Sequence, residues 1–130
     1  MSINPSDVLV AIAHYLPRGR RSFIYPSGGF YTFFQIQKEK HPQTLSQLSF
    51  NNSDIFTQSE ELQQAVTNLI ASGMLIWSTK APQHYHFSQD CEKSFEKFVS
   101  KRLCKRKLSE IEAIAQEFDS SIALPVAFRT

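Results

Sequence analysis

The stretch from Thr57 to Gly73 constrains the fold of this chain more strongly than any other part of the sequence. Thr57 and Glu60 have the spacing of a capping box, in which a hydroxyl and a carboxylate each accept a hydrogen bond from a free backbone N–H group at a helix start. Apolar residues then follow at the spacing i, i+3, i+4, i+7 and i+8, which predicts one buried helix face. The members of this apolar stripe are Leu62, Ala65, Val66, Leu69 and Ile70. Gly73 supplies the left-handed residue that commonly ends a helix, so the sequence predicts a capped amphipathic helix here.

Two further long helices are predicted before this stretch. Asn4 as a cap and Pro5 in the first helical position are typical of a helix start, and Pro17 is expected to end that helix. The pattern from Gly28 to Lys40 predicts a second helix with its phenylalanines on one face. Phe23 to Tyr25 favours a short strand between the two helices.

Strands and a long helical pattern follow Gly73. Met74 to Trp77 and Tyr85 to Phe87 predict two strands that are joined by a loop. A helical pattern then runs from about residue 90 towards Phe118, either as one helix of about 45 Å or as two helices with a bend. Residues 1–119 are therefore expected to form a single domain, followed by a loosely ordered tail at 120–130.

The composition predicts a folded protein in a reducing compartment. Eleven Phe, four Tyr and one Trp need a core in which to be buried. No apolar run approaches the roughly 20 residues that span a bilayer, so no membrane partner is expected, and the N-terminus lacks the features of a signal peptide. Cys91 and Cys104 are too few for a disulfide framework, so a cytoplasmic location is expected.

The segment from Ser59 to Ile76, followed by Tyr85 to Ser88, resembles the third helix and wing of winged helix-turn-helix regulators. In those proteins a helix with a Leu…Leu…Gly-hydrophobic-hydrophobic ending leads into a two-stranded wing, and this pattern is met here by Leu62, Leu69 and Gly73. The resemblance covers about residues 44–88. It implies a mainly α fold with a small β-hairpin wing, a winged helix-turn-helix-like core and a long C-terminal helix. It also implies that the third helix enters the major groove of DNA.

The resemblance further implies a set of nucleic-acid contacts. The solvent face of the third helix would carry amide and hydroxyl side chains, which can contact the edges of adenine and the methyl group of thymine. These side chains are Gln63, Gln64, Thr67 and Asn68. Phosphate contacts would come from Lys80 in the wing and from three arginines after the first helix, Arg18, Arg20 and Arg21.

A second basic cluster lies between Glu96 and Glu110, with no acidic residue inside it. Clustered cations favour polyanions, so on a helix they are expected to form a broad basic stripe along a phosphate backbone. The alternative is that both basic clusters are solvated surfaces. The members of this second cluster are Lys97, Lys101, Arg102, Lys105, Arg106 and Lys107.

Metal binding and catalysis have weaker support in the sequence. His84 and His86 would point to one side of a strand and Cys91 follows, so a zinc site is chemically possible. No fourth ligand is evident unless His41 or Asp90 folds in, and the favoured interpretation is that the two histidines are ordinary wing residues. No phosphate loop, Gly-x-Ser-x-Gly or His-Glu-x-x-His motif occurs. We therefore expect no metal, no cofactor and no enzymatic activity.

Two hypotheses for function remain. The first is a DNA-binding regulator of transcription, which forms a homodimer through a second apolar stripe on the C-terminal helix, at Leu108, Ile111, Ala115 and Phe118. The second is a winged-helix adaptor or accessory subunit that binds a protein partner without sequence-specific DNA contact. It rests on the absence of Lys and Arg between Asn51 and Thr79, where a recognition helix usually has cations nearby.

Overall fold

The computed structural model describes residues 3–17, 19–52, 57–80 and 83–124, which form a mainly helical fold with two small antiparallel sheets. The elements up to the end of the larger sheet are α1 (Pro5–Tyr15), β1 (Ser22–Phe23), α2 (Gly28–Lys40), β2 (Asn51–Asn52), β3 (Thr57–Gln58), α3 (Glu60–Ala71), β4 (Leu75–Ser78) and β5 (His84–Phe87). The elements after it are α4 (Asp90–Ser94), a π-helical segment (Phe95–Val99), α5 (Ser100–Arg102) and α6 (Lys105–Ser121).

Helix α1 lies at the centre of the fold. Its start is as predicted, because the Asn4 side chain accepts a hydrogen bond from the Ser6 backbone N–H at 2.8 Å and Pro5 is the first helical residue. All residues from Val8 to Ala13 are buried, so the helix is covered on every side rather than along one stripe. It packs against α3, α4, the π-helical segment and α6.

Helix α2 has the bounds and the buried face that the sequence predicts. Ser27 caps it, and Phe30, Phe33, Phe34 and Gln37 are buried. Tyr31 is buried as well, and its hydroxyl lies 2.7 Å from that of Tyr25.

Helix α3 begins two residues later than predicted. Thr57 lies in β3, where its hydroxyl donates to the Asn52 side chain across the β2–β3 pair at 2.9 Å. Ser59 is the cap instead, and its hydroxyl accepts from the Leu62 backbone N–H. The prediction of a capping box is therefore wrong, because Thr57, its first residue, pairs with Asn52 in the β2–β3 sheet instead.

The predicted apolar stripe of α3 is confirmed at four positions and wrong at the fifth. Leu62, Ala65, Val66 and Leu69 are buried, whereas Ile70 is 38% exposed. At about 100° of rotation per residue, Ile70 lies at the margin of the stripe, next to the exposed Gln63.

The larger sheet follows α3 after Gly73, which has the positive φ of 80° that glycine favours. Its strand order is β1–β5–β4, and all pairs are antiparallel. The strands of the β4–β5 hairpin lie within one residue of the predicted bounds. The short strand predicted at Phe23 to Tyr25 is found at Ser22–Phe23.

The C-terminal helical pattern is interrupted rather than continuous. Leu103 is extended (φ −109°, ψ 134°), and α6 restarts at Lys105 after Cys104. The buried face of α6 packs on α1 and α2 and comprises Ile111, Ile114, Ala115 and Phe118. The stripe that was expected to meet a second copy is thus covered within the chain. Homodimerisation stays a prediction, but its stated basis is wrong.

The chain end is more ordered than predicted, at least to residue 124. Helix α6 extends past 119 to Ser121, Ala123 is buried, and the Leu124 backbone N–H donates to the Ser22 carbonyl at 2.8 Å. This hydrogen bond joins residue 124 to the first residue of β1. The rest of the predicted tail, 125–130, lies outside the described residues. Among the described helices, none is both long and apolar enough to cross a membrane.

Candidate nucleic-acid interface

The exposed face of α3 carries the four side chains that the sequence assigns to base contacts. Gln63, Gln64, Thr67 and Asn68 are all exposed. The Gln64 amide donates to the Asn68 amide oxygen at 3.0 Å, one turn further along the helix. Each of these two amides keeps further donor or acceptor capacity for an external partner.

An open groove of about 400 Å³ separates this face from the first turn of α1. Gln64 and Asn68 line one side of the groove, and Asn4, Pro5 and Ser6 line the other. The exposed amides of α3 and the start of α1 therefore lie on the same part of the surface.

Two carboxylates also line this groove, at Glu60 and Glu61. The Glu61 carboxylate accepts from the Ser49 backbone N–H at 2.9 Å and from the Ser49 hydroxyl at 2.8 Å. The backbone hydrogen bond from Ser49 lowers the pKa of Glu61, so this group is negatively charged at neutral pH. Negative charge beside the groove opposes phosphate at the start of α3.

The second basic cluster is exposed at five of its positions, and we call these five residues the basic segment. They are Lys97, Lys101, Arg102, Lys105 and Arg106. Of the two predicted alternatives, one helix or two with a bend, the interrupted one is found, because the break at Leu103 and Cys104 separates the first three residues from the last two; a single stripe along one continuous helix is therefore not formed.

Arg102 connects the basic segment to the start of α1. Its guanidinium donates to the Asp7 carboxylate at 2.9 Å and lies 5.8 Å from the ring centre of Phe98, which is 54% exposed. Asp7 lies in the first turn of α1, directly after the residues that line the α3 groove. Arg102 of the basic segment and the exposed amides of α3 thus flank the same helical turn.

The arginines after α1 have partners within the chain. Arg20 binds the carboxylate of Asp119 and donates to the Asp119 carbonyl at 2.8 Å, while Arg21 donates to the Glu92 carboxylate at 2.6 Å. Arg20 and Arg21 are therefore paired with carboxylates of the chain itself, and their contact with phosphates stays a prediction. Arg18 lies outside the described residues, and Lys80 is exposed after β4.

The residues weighed for zinc do not converge in the part of the chain that the structure describes. The Cys91 thiol is buried and donates to the Met74 carbonyl at 3.4 Å, and burial raises its pKa to about 12. His84 and His86 lie on β5, and no group of three or more His, Cys, Asp or Glu side chains within the described ranges could hold a metal.

One residue that sequence reasoning missed is Glu92, which joins Arg21 to His14. Its second carboxylate oxygen lies 2.9 Å from the His14 ring nitrogen, and that ring stacks on Phe95 with 3.8 Å between centroids. Arg21 precedes Glu92 by 71 positions in the sequence, and His14 precedes it by 78. No local sequence pattern connects residues so far apart, so only the folded structure reveals this pairing.

Similarity to known proteins adds no information about this surface. Comparison of the chain with protein-family models, with curated protein sequences and with solved structures gives no match.

Proposed function

We propose that this chain is a winged-helix domain that regulates transcription by binding duplex DNA through the exposed face of α3 and the basic segment. The order of elements supports the proposal: α3 is the third long helix and leads through Gly73 into the antiparallel pair β4–β5. A third helix followed by a two-stranded wing is the arrangement that the resemblance implies.

The observation that carries the proposal is that Arg102 and the exposed amides of α3 lie beside the same first turn of α1. An α-helix fits the major groove, and the phosphates that border the groove lie within reach of cations on neighbouring elements. The exposed amides of α3 then contact base edges, while Lys101 and Lys105 contact phosphates. Lys80 contacts a phosphate from the wing.

Binding to DNA requires one exchange of hydrogen-bond partner and allows a second. The hydrogen bond between Gln64 and Asn68 is given up for a bidentate contact with adenine. The Arg102 guanidinium exchanges Asp7 for a phosphate oxygen, or it stays bound to Asp7 and orients the basic segment. The Arg102 side chain is about half exposed, so the exchange of Asp7 for a phosphate oxygen costs little desolvation.

The test uses fluorescence anisotropy of the full chain with labelled duplex DNA over a range of salt concentrations. Replacing both Lys101 and Lys105 by Gln should weaken binding to all sequences alike. It should also flatten the slope of log K against log salt by up to about 0.9 for each lost contact. The matched control replaces Lys40 and Lys93 by Gln, which changes the net charge equally and leaves the proposed surface intact.

Base contacts are tested separately by replacing Gln64 and Asn68 with Ala. Sequence preference, measured by selection from a random duplex pool, should relax while the salt slope stays nearly constant. If the wild-type chain fails to retain any duplex even at about 50 mM salt, where phosphate contacts are strongest, the proposal is refuted.

A protein-binding adaptor is the second candidate function. Two observations favour it: the carboxylates of Glu60 and Glu61 beside the α3 groove, and the exposure of Ile76 and Trp77 at 43% each on the edge strand β4. In that case the chain binds no duplex, and Trp77→Ala abolishes capture of the protein partner while Gln64→Ala has no effect.

A further inference from the structure

The outer face of the three-stranded sheet contains an open groove of about 380 Å³, and Lys80 is the one described residue of its lining that the proposed function also uses. Both edges of the groove are formed by described residues of β1, β4 and β5 and the loops beside them. The side chains that matter for the argument are Arg21, Ser22, Ser78, Lys80, His84 and His86.

Strand register explains how these side chains come together. Ser22 is the cross-strand partner of His86, and Ser78 is the partner of His84. Partners that lie opposite each other in an antiparallel pair point to the same face of the sheet, so a hydroxyl stands beside each imidazole. This arrangement depends on β1 pairing with β5 across about 60 residues, which no local pattern in the sequence reveals.

The charged side chains among the described lining residues have one sign, although Arg21 is also paired with the Glu92 carboxylate, which lies outside the lining. Arg21 and Lys80 are cations at neutral pH, both imidazoles become cations on protonation, and no carboxylate is among the described residues that line the groove. From these observations we propose that the groove binds a small anion that carries a phosphate group. The volume lies within the range of small-ligand sites, so there is room for a diphosphate or a nucleoside monophosphate rather than for a single oxyanion alone.

Arg21 is held in a fixed orientation at the end of the groove. Its terminal nitrogen donates to Glu92 at 2.6 Å, whereas its Nε–H is buried and has no hydrogen-bond partner among the described residues. A second groove of about 390 Å³ continues from Gly19 and Arg21 towards Glu92 and Lys93. A guanidinium that is already oriented and partly desolvated loses less entropy when it binds phosphate than a free surface lysine does.

Protonation of His86 should couple to binding. The charged or titratable groups that face it are Arg21 beside β1, His84 on its own strand and Lys80 after β4. Burial, followed by the proximity of His84, lowers the pKa of His86, so the free groove holds less positive charge at pH 7 than its composition suggests. A bound phosphate raises that pKa again, so protonation of His86 should accompany binding.

The experiment follows the imidazole C–H resonances of the full chain by NMR while pyrophosphate or AMP is added. Saturable shifts of His84 and His86 with a Kd below about 1 mM support the site, and sodium chloride at the same ionic strength controls for screening. Lys80→Gln and His86→Gln should each weaken binding roughly tenfold, whereas Lys40→Gln, an exposed position on α2 that lines none of the described grooves, should leave it unchanged. Both site variants replace side chains at least partly exposed to solvent, so the fold is expected to persist.

Two results would overturn the inference. One is the absence of any saturable shift with either ligand up to a ligand concentration of about 10 mM, because a specific site of this size should have a Kd well below that concentration. The other is a shift of the imidazoles by duplex DNA but not by pyrophosphate or AMP, because the groove would then belong to a DNA-binding surface. Retained pyrophosphate binding in a chain that binds no DNA would support the inference and refute only the proposed function.

Discussion

Replacing Phe118 by Ala distinguishes between two roles for the apolar face of α6. Phe118 is fully buried, and its ring lies 5.7 Å from that of Phe23 on β1 and 5.5 Å from that of Phe33 on α2. Removing a buried phenylalanine side chain costs roughly 3–5 kcal/mol, because transfer free energy is lost and a cavity remains. Edge-to-face contacts between aromatic rings add about 0.5–1.5 kcal/mol per pair, so we expect a value in the upper part of that range.

The assay is urea unfolding followed by circular dichroism at several protein concentrations. With a slope of about 2 kcal/mol per molar urea, the expected loss lowers the midpoint by about 2 M. Phe118→Leu, which keeps most of the volume, should cost about 1 kcal/mol and gives a measurable transition if the alanine variant is unfolded. Phe98→Ala is the matched control, since this exposed ring should change stability by under about 1 kcal/mol.

The contrary result is equally specific. If α6 instead uses Phe118 to contact a second copy, the midpoint of the wild-type chain rises with protein concentration. The alanine variant then behaves as a stable monomer with the wild-type midpoint at high dilution. Either finding would refute the burial of this face within one chain.

Two further predictions concern titratable groups. The pKa of the exposed Cys104 thiol is lowered, chiefly by a hydrogen bond from the backbone N–H of Lys107. Cys104 should therefore react with iodoacetamide at pH 7.5 faster than a model thiol, while the buried Cys91 reacts only on unfolding. Mass spectrometry of the labelled chain checks both expectations. The Thr44 hydroxyl lowers the pKa of Glu110, so its contribution to stability is present above the unfolded value near 4.5 and is lost as the pH falls through the folded value. Thr44→Val should therefore reduce the free energy of unfolding more at pH 7 than at pH 3, and an equal loss at both would contradict this reasoning.

Signals that act within one turn of chain predicted the elements well. The Asn4 cap, the phenylalanine face of α2 and the glycine after α3 are each fixed by groups a few residues apart. The predicted start of α3 is wrong because a contact outside this segment competes with the local pattern. Thr57 and Glu60 satisfy the local capping pattern, but Thr57 pairs with Asn52 instead, and a pattern within one segment does not weigh that competition.

The candidate site could be predicted only in part. Exposure of Gln64 and Asn68 follows from the periodicity of α3, because the opposite face is apolar. The loss of free charge at Arg20 and Arg21 could not be foreseen, since their partners Asp119 and Glu92 come from helices at the other end of the sequence. Pairs of this kind exist only once the whole chain has folded.

The break before α6 has a consequence for how this chain tolerates changes in length. One residue inserted within α6 rotates everything after it by about 100° and carries Phe118 away from the core. One residue inserted next to the extended Leu103 changes only the connection, because the rotational phase of α6 is not inherited from the preceding helix. The junction therefore divides the C-terminal part into two units that can vary independently, and chain-length variants that still fold should have their insertions and deletions there.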